Sequence, residues 1–352
     1  MKKIFQYIML AVVTIVMASC TSDIEETTTT TGKNNVQLVV GEFPAFGDSQ
    51  TRAIGTPDAG KTSWAVGDEL LLEMTSKTLG TKYAAFKYNG SSWELASGEL
   101  SYKEDEVPTF PHVYYAPNYK WEAGELVLKE GKVAGTDEYI EGEANITPNG
   151  QAITVKFAEA TRNYSRLRIA TMPNMPITVA FNNRYTPAGS SVSAFFPRYA
   201  LTSDEKGNAY LYGNFGQYCD FDVKYGEAIL ATHTFYQAAE SAKSYVLDAT
   251  VVSLADEGLT FDQIVEDVKK ELDAGKTYIN LILAPDADET TFDAIHSGLE
   301  DASDGSINLT LIGCKKIPYG VFMHCKMLKS IALPDVTEIE GKAFQVVHGL
   351  KK

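Results

Sequence analysis

Apolar and polar residues alternate along most of the chain between residues 36 and 252. In residues 153–157 the sequence Ile-Thr-Val-Lys-Phe has the two-residue period of a half-buried strand. Further strand candidates with apolar or alternating patterns lie at 69–73, 83–88, 113–116, 126–128, 166–169, 177–181, 210–212 and 245–252. Turn-forming pairs such as Asn89-Gly90 separate them. Many short strands with such turns predict β-sandwich or barrel architecture, and the stretch is longer than one small sandwich needs.

The period changes near residue 259. Apolar residues at helical spacing follow Thr260, a good N-cap, and Gly275 is a typical helix end, so we predict a helix between them. Residues 278–283 predict a strand, Phe292, Ile295 and Leu299 predict a second helix, and residues 306–311 predict another strand. The second strand repeats the Ile-Asn-Leu of the first one 28 residues later.

The last part of the chain contains a repeat of 22 residues. Its apolar positions are Leu309, Leu311, Ile317, Phe322, Cys325 and Leu328, followed by Ile331, Leu333, Ile339, Phe344, Val347 and Leu350. A fixed period of this length predicts a solenoid whose units bury their faces against each other. The preceding strand–helix units then form the cap over its first face. Because the sequence ends within the second copy, at Lys352, we expect a short, truncated solenoid.

The N-terminus predicts export. Two lysines precede an apolar run at 8–17, and Ala18-Ser19 stand directly before Cys20. This order resembles the lipobox of bacterial lipoproteins, which implies removal of residues 1–19 and lipid attachment to Cys20. Residues 20–35 are polar and rich in threonine, which predicts a disordered tether. The acidic residues early in the tether resemble the surface-export signal of some Gram-negative anaerobes, although they also fit a plain solvated linker.

Net charge limits the kinds of partner that the chain can bind, and cysteine content limits its disulfides. The formal net charge is −15 and no basic cluster occurs, which argues against nucleic acid and anionic membrane surfaces as partners. Besides Cys20, the chain has only Cys219, Cys314 and Cys325, an odd and widely spaced set that does not form a disulfide framework.

Short motifs in the β-rich part occur in the order found in one family. They are Thr51-Arg52-Ala53, Trp64-Ala-Val-Gly67-Asp68, Lys82-Tyr83, Ser92-Trp93, Tyr114-Tyr115-Ala116-Pro117, Val155-Lys-Phe157, Ser165-Arg166-Leu167 and Ser244-Tyr245-Val246-Leu247. Together they resemble the fimbrillin-like lipoproteins of gut and oral anaerobes. The resemblance implies two tandem transthyretin-like β-sandwiches, at 36–142 and 143–252, with roles in fimbriae or surface adhesion.

Arg52 is the candidate processing site. In fimbrillins an arginine-specific protease cuts in this region, and loss of the first strand opens a groove that a partner strand fills. The corresponding first strand here is 36–43. An exposed loop arginine without a role is the alternative, because single basic residues between strands are common.

No catalytic, cofactor or metal site is predicted. Residues 55–62 match the P-loop pattern, but the preceding residues are mostly polar and a strand rather than a helix follows. None of the five histidines has a partner at zinc-site spacing except His324 beside Cys325, and Cys325 lies on the buried positions of the repeat. A glycosidase pair of carboxylates brought together only in space is not excluded by the sequence.

Residues 317–334 resemble the leucine-rich repeats of BspA-like surface proteins, which implies adhesion to host proteins or other cells. We therefore expect a mainly β chain with two sandwiches and a leucine-rich-repeat cap and partial repeats at 258–352. The expected function is non-catalytic adhesion or host interaction by a lipid-anchored, surface-exposed protein of the outer membrane. Its expected partners are a surface protein or a glycan of the host or a neighbouring cell. The alternatives are a fimbrial subunit or tip protein assembled by strand exchange with other fimbrial subunits, a surface glycan-binding accessory protein, and a surface hydrolase.

Overall fold

The structure is a computed structural model that describes residues 37–44, 46, 61–103, 106–146, 152–157, 162–256 and 258–345. The strands of this part are β1 Gln37–Val40, β2 Glu69–Ser76, β3 Gly80–Tyr88, β4 Trp93–Gly98, β5 Thr109–Tyr115, β6 Tyr119–Glu122, β7 Glu125–Leu128, β8 Ile140–Ile146, β9 Ala152–Lys156, β10 Ser165–Ala170, β11 Pro176–Phe181, β12 Arg184–Pro187, β13 Ala194–Phe195, β14 Arg198–Thr202, β15 Asn208–Asn214, β16 Cys219–Tyr225, β17 Ala228–Phe235, β18 Ser244–Asp248, β19 Val252–Ser253, β20 Tyr278–Ile282, β21 Ile307–Ile312, β22 Lys316–Ile317, β23 Leu328–Ala332 and β24 Glu338–Ile339. The helices are α1 Phe261–Asp273 and α2 Glu289–Leu299. The prediction of a mainly β chain is confirmed.

The first unit is built from one seven-stranded sheet in the order β1-β9-β8-β5-β2-β3-β4. The sheet curls until β1 and β4, its two end strands, lie near each other. Strand β8 makes the bend: its residues 140–142 pair with β5, and residues 143–146 pair with β9. Gly142 lies at the change of partner, where an added Cβ would stand 2.5 Å from the Phe157 ring. The curled sheet encloses the main core, and its opposite face forms a second, smaller cluster with β6 and β7.

The predicted boundary between residues 142 and 143 is wrong, because it falls inside β8. Strand β9 was assigned to the second sandwich, yet it pairs with β8 and, in parallel, with β1. Ile153 and Val155 of β9 are fully buried in the first core, together with Leu38 of β1. The alternation of apolar residues shows that a strand has a buried face but not which sheet that face covers, so the first unit continues to Phe157.

The second unit is a two-layer sandwich. Its five-stranded sheet has the order β13-β12-β15-β10-β18, and its four-stranded sheet has the order β14-β11-β16-β17. The inner faces meet in one core that holds Leu167, Leu211, Val179, Phe221 and Leu230. Strands β13 and β14 follow each other in the chain, but each is an edge strand of a different sheet. The chain therefore crosses from one layer to the other between them.

The third unit packs α1 and α2 against a parallel sheet in the order β19-β20-β21-β23. The predicted start of the first helix is confirmed, since Thr260 caps it and forms a capping box with Gln263. Gly275 has φ +77° just past the helix end, as predicted for a residue that stops a helix. Phe292, Ile295 and Leu299 are fully buried on the inner face of α2.

The strand register in this unit confirms one predicted spacing and corrects another. Ile331 pairs with Leu309 and Ile339 with Ile317, which are the 22-residue steps of the repeat. Ile279 pairs with Leu309 rather than with Ile307, so β20 and β21 are related by 30 residues and not by the predicted 28. A shift of two residues keeps every side chain on the same face, and the apolar pattern is therefore equally satisfied by both registers.

The outer face of the parallel sheet covers the free side of β17 in the second sandwich. Asn280 Nδ2 donates to the Leu230 carbonyl at 3.0 Å and to the Thr250 carbonyl at 3.3 Å, and the Thr310 hydroxyl reaches the Ile229 carbonyl at 3.4 Å. Asn280 and Thr310 are buried in this contact. Side chains from the third unit thus satisfy carbonyl groups that an edge strand would leave open.

Candidate functional site

The junction between the first two units is a buried polar network. Arg162 Nε and Nη2 contact the two carboxylate oxygens of Glu138 at 3.3 and 3.2 Å, and the Tyr164 hydroxyl donates to Glu138 at 2.5 Å. The side chains of this ion pair are 0% and 5% exposed. Glu138 precedes β8, whereas Arg162 and Tyr164 precede β10, so the network joins the two units.

The segment after β1 enters the same junction. The Pro44 carbonyl accepts a hydrogen bond from Arg162, and the Phe46 ring lies 4.1 Å from the Arg162 guanidinium and 4.8 Å from that of Arg166. Arg166 and Arg168 alternate with the core residues of β10, as predicted, but both arginines are buried rather than solvated. The segment that starts in β1 is therefore held both by the first sheet and by the junction.

One end of the second sandwich carries four exposed aromatic rings. They are Phe195 at 62%, Phe196 at 65%, Tyr218 at 61% and Tyr236 at 74% exposure. Phe195 and Phe196 lie at the crossing from β13 to β14, Tyr218 in the loop from β15 to β16, and Tyr236 directly after β17. We call this set the aromatic tip. Rings of this size are normally buried, so four of them in adjacent loops mark an interaction surface.

Asn183, in the turn between β11 and β12, ties the loops of the aromatic tip together. Its carbonyl accepts from the Phe196 N–H at 2.9 Å, its Nδ2 donates to the Tyr218 carbonyl at 2.5 Å, and its Oδ1 accepts from the Asp220 N–H at 3.2 Å. Tyr218 N–H also donates to the Phe235 carbonyl at 2.6 Å, next to Tyr236. The tip is therefore a hydrogen-bonded surface. The sequence signal for it is the pair of phenylalanines before Pro197, between two strands.

The predicted attachment site Cys20 and the predicted processing site Arg52 lie outside the described residues. Of the P-loop-like segment, Lys61 and Thr62 are described. Lys61 forms an ion pair with Asp68 and lies 5.0 Å from the Tyr115 ring, and β2 follows at Glu69. A phosphate-binding loop has a helix at this point, whereas here the strand β2 follows.

The three described cysteines are buried and unoxidised. Burial raises the pKa of the Cys219 thiol to about 12 and those of Cys314 and Cys325 to about 11. These thiols remain protonated at neutral pH, and a protonated thiol is a poor nucleophile and a poor metal ligand. His324, which precedes Cys325, lies in a turn and has φ +63°. Within the described residues, no group of three or more His, Cys, Asp or Glu side chains could hold a metal ion.

No helix in the described part of the chain is long and apolar enough to span a membrane. No protein-family model matches the chain. A search of curated proteins also finds no match.

Several solved structures match part of this chain at low structural similarity. One is a Bacteroides fragilis protein to which a role in cell adhesion has been ascribed, at 10% identity and a TM-score of 0.29, over 61% of this chain and 92% of that one. The minor pilin of Streptococcus agalactiae matches at 9% identity and 0.21, over 61% and 94%. The pilus backbone protein of Streptococcus pneumoniae matches at 8% and 0.17, over 71% and 64%. At TM-scores of 0.29 or less, these likenesses carry no information on function.

Proposed function

We propose that this chain is a lipid-anchored protein of the outer-membrane surface that adheres to host or neighbouring cells without catalysis. The observation that carries the proposal is the aromatic tip, four exposed rings on three hydrogen-bonded loops, two of which Asn183 joins. A contact surface of this kind needs a rigid support. The buried Arg162–Glu138 junction and the Asn280 contact with β17 supply that support on both sides of the second sandwich.

The third unit extends this proposal. Its parallel strands step by 22 residues between β21 and β23, and again between β22 and β24. This register supports assignment of residues 258–352 as a leucine-rich-repeat cap with partial repeats. Because Asn280 and Thr310 are buried against the second sandwich, this part of the sheet face is closed to a partner.

The anchor is tested by replacing Cys20. We expect Cys20→Ala to abolish incorporation of labelled fatty acid and to shift the protein from the outer-membrane fraction to the soluble fraction, because the tether would lack its lipid. Cells that express the variant should lose adhesion to a host-cell layer. Ser22→Ala, in the same tether, is the control and should remain acylated and adhesive. An acylated, membrane-bound Cys20→Ala protein would contradict the anchor at this residue.

A second candidate function is assembly by strand exchange after cleavage near Arg52. Strand β1 supports it, because it ends the sheet, has only four residues, pairs with β9 alone within the described strands, and inserts Leu38 into the core. A cut at Arg52 would separate β1 from the rest of the unit. Departure of β1 would then open the β9 edge and the Leu38 site to a strand from another subunit.

Assembly is tested with the full chain and an arginine-specific protease. We expect cut wild-type protein to form concentration-dependent multimers in size-exclusion chromatography, since a free β1 can leave and be replaced. Arg52→Ala should stay intact and monomeric, whereas Arg184→Ala, which removes an exposed arginine elsewhere, should behave as the wild type. If Arg52 is not cut, or the cut protein remains monomeric, assembly by this route is ruled out.

A further inference from the structure

We propose that the aromatic tip binds uncharged oligosaccharide chains of cell-surface glycans, an inference that rests on the proposed adhesive function. The tip offers flat rings for the C–H faces of sugars and polar side chains for their hydroxyl groups. Four observations support this assignment: the backbone strain in the loops, the amides at the border of the rings, the balance of charges and the size of the exposed apolar surface.

The loops hold two of the rings in an unfavourable backbone conformation. Phe196 has φ +53° and Tyr218 has φ +63°, in the left-handed region that side chains other than glycine rarely adopt. Both residues are hydrogen-bonded to Asn183: the Phe196 N–H donates to its carbonyl, and the Tyr218 carbonyl accepts from its Nδ2. Strain of this kind persists only where surrounding contacts maintain it, and it concentrates at functional sites. Here it directs large apolar rings into solvent.

The polar border of the tip consists largely of uncharged amides. Gln217 and Gln237 are exposed beside Tyr218 and Tyr236, and Asn182 is exposed in the turn that also holds Asn183. An amide both donates and accepts hydrogen bonds, as does a sugar hydroxyl. Asn182 Nδ2 already donates to Asp220 at 3.3 Å, and its carbonyl oxygen remains the side-chain acceptor.

Charge argues against an anionic ligand. At the strand ends and loops around the tip, the charges of Arg184 and Arg198 are balanced by those of Asp220 and Glu240, so the tip has no excess of positive charge. The Arg184 guanidinium lies 4.5 Å from the Phe195 ring and Asp220 receives side-chain hydrogen bonds, so two of these four groups have partners. The whole chain carries −15, which repels acidic glycans and anionic lipid headgroups.

The size of the apolar surface favours a short glycan over a protein. An aromatic side chain buries roughly 150–250 Å², so four rings that are about two-thirds exposed offer roughly 500 Å². A stable protein interface buries about 800 Å² on each partner. A few sugar rings match the smaller area, and many anchored copies on one cell would convert weak single contacts into firm adhesion.

The test measures binding of the full chain to cellohexaose, mannohexaose and lacto-N-tetraose, with a hyaluronan hexasaccharide as the acidic comparison. We expect a dissociation constant in the millimolar range or below for at least one neutral chain and no binding of hyaluronan. Phe196→Ala and Tyr218→Ala should each weaken neutral binding about tenfold. Tyr319→Ala is the matched control, since it removes a ring that is 53% exposed in the third unit. Unchanged thermal unfolding of the variants would show that they fold.

Three outcomes would overturn the glycan assignment: no binding to the neutral chains, full binding by Phe196→Ala and Tyr218→Ala, or preference for hyaluronan. A second experiment measures adhesion of expressing cells to a host-cell layer before and after enzymatic removal of the host glycans. Its results distinguish failure of the glycan assignment from failure of the proposed function. Adhesion that survives glycan removal but is lost in the tip variants would indicate a protein partner, which overturns the glycan assignment and leaves the adhesive function in place. Absence of adhesion by wild-type cells would instead refute the proposed function.

Discussion

Replacing Glu138 by Gln is expected to lower the free energy of unfolding by about 3–5 kcal/mol. The carboxylate lies in a dry junction, where it contacts Arg162 through two nitrogen atoms and accepts the Tyr164 hydroxyl. Loss of its charge would remove the carboxylate that contacts two nitrogen atoms of the buried Arg162 guanidinium. The cost of a buried ion that loses its partner is much larger than the worth of a surface ion pair.

The change is measured by denaturant unfolding, together with limited proteolysis of the connection at 157–162 between the two units. Glu141→Gln, an exposed change three residues further on, is the control and should alter stability by less than about 0.5 kcal/mol. The double variant Glu138→Leu with Arg162→Met should recover much of the loss, because an apolar pair of similar volume needs no counter-charge. A Glu138→Gln protein as stable as the wild type would show that the junction does not depend on this ion pair.

Replacing Asn280 by Asp is expected to detach the third unit from the second, at a cost of about 3 kcal/mol or more. Asn280 is 2% exposed, and its Nδ2 donates to the carbonyls of Leu230 and Thr250. A carboxylate of the same shape would place a negative charge against those two oxygens and lose both hydrogen bonds. Burial of an unpaired charge is among the most destabilising single changes.

Limited proteolysis between β18 and α1 measures this detachment, and we expect faster cleavage there while the first junction stays protected. Asn308→Asp is the matched control. Asn308 is half-buried on the next strand, and its Nδ2 donates to the Thr277 carbonyl at 3.2 Å within the third unit. It should cost about 1 kcal/mol without detachment. If both variants resist proteolysis equally, the Asn280 contact does not hold the units together.

Local patterns predicted many of the elements, although β16 and β17 were not among the strand candidates. Residues 177–181 were predicted as a strand and lie within β11, and the capping residues of α1 were predicted at Thr260 and Gly275. These features depend on neighbours in the chain: a period of two for a strand, and side-chain or glycine signals at helix ends. The 22-residue spacing was equally visible, because each copy supplies equivalent residues to one parallel ladder.

Pairing between distant segments was predicted less well. The predicted boundary between residues 142 and 143 was wrong because β9 turns back onto the first sheet. The predicted 28-residue register between β20 and β21 was wrong because a shift of two residues keeps the same face buried. The arginines of β10 were expected on a partly solvated face. Both are buried, and Arg166 is covered by Phe46, which the segment after β1 brings in from more than a hundred residues away.

The sequence by itself determined the mainly β character of the chain, the two helices of the third unit and the 22-residue repeat. It also predicts an export signal and a lipid anchor at Cys20. It also determined the absence of a recognisable catalytic motif. Cys20 and Arg52 remain predictions, since both lie outside the described residues. Only the tertiary structure decided where the first unit ends and which sheet face the second sandwich covers. It alone brought four aromatic residues from three loops to one surface, because that proximity arises from strand order and loop contacts rather than from spacing along the chain.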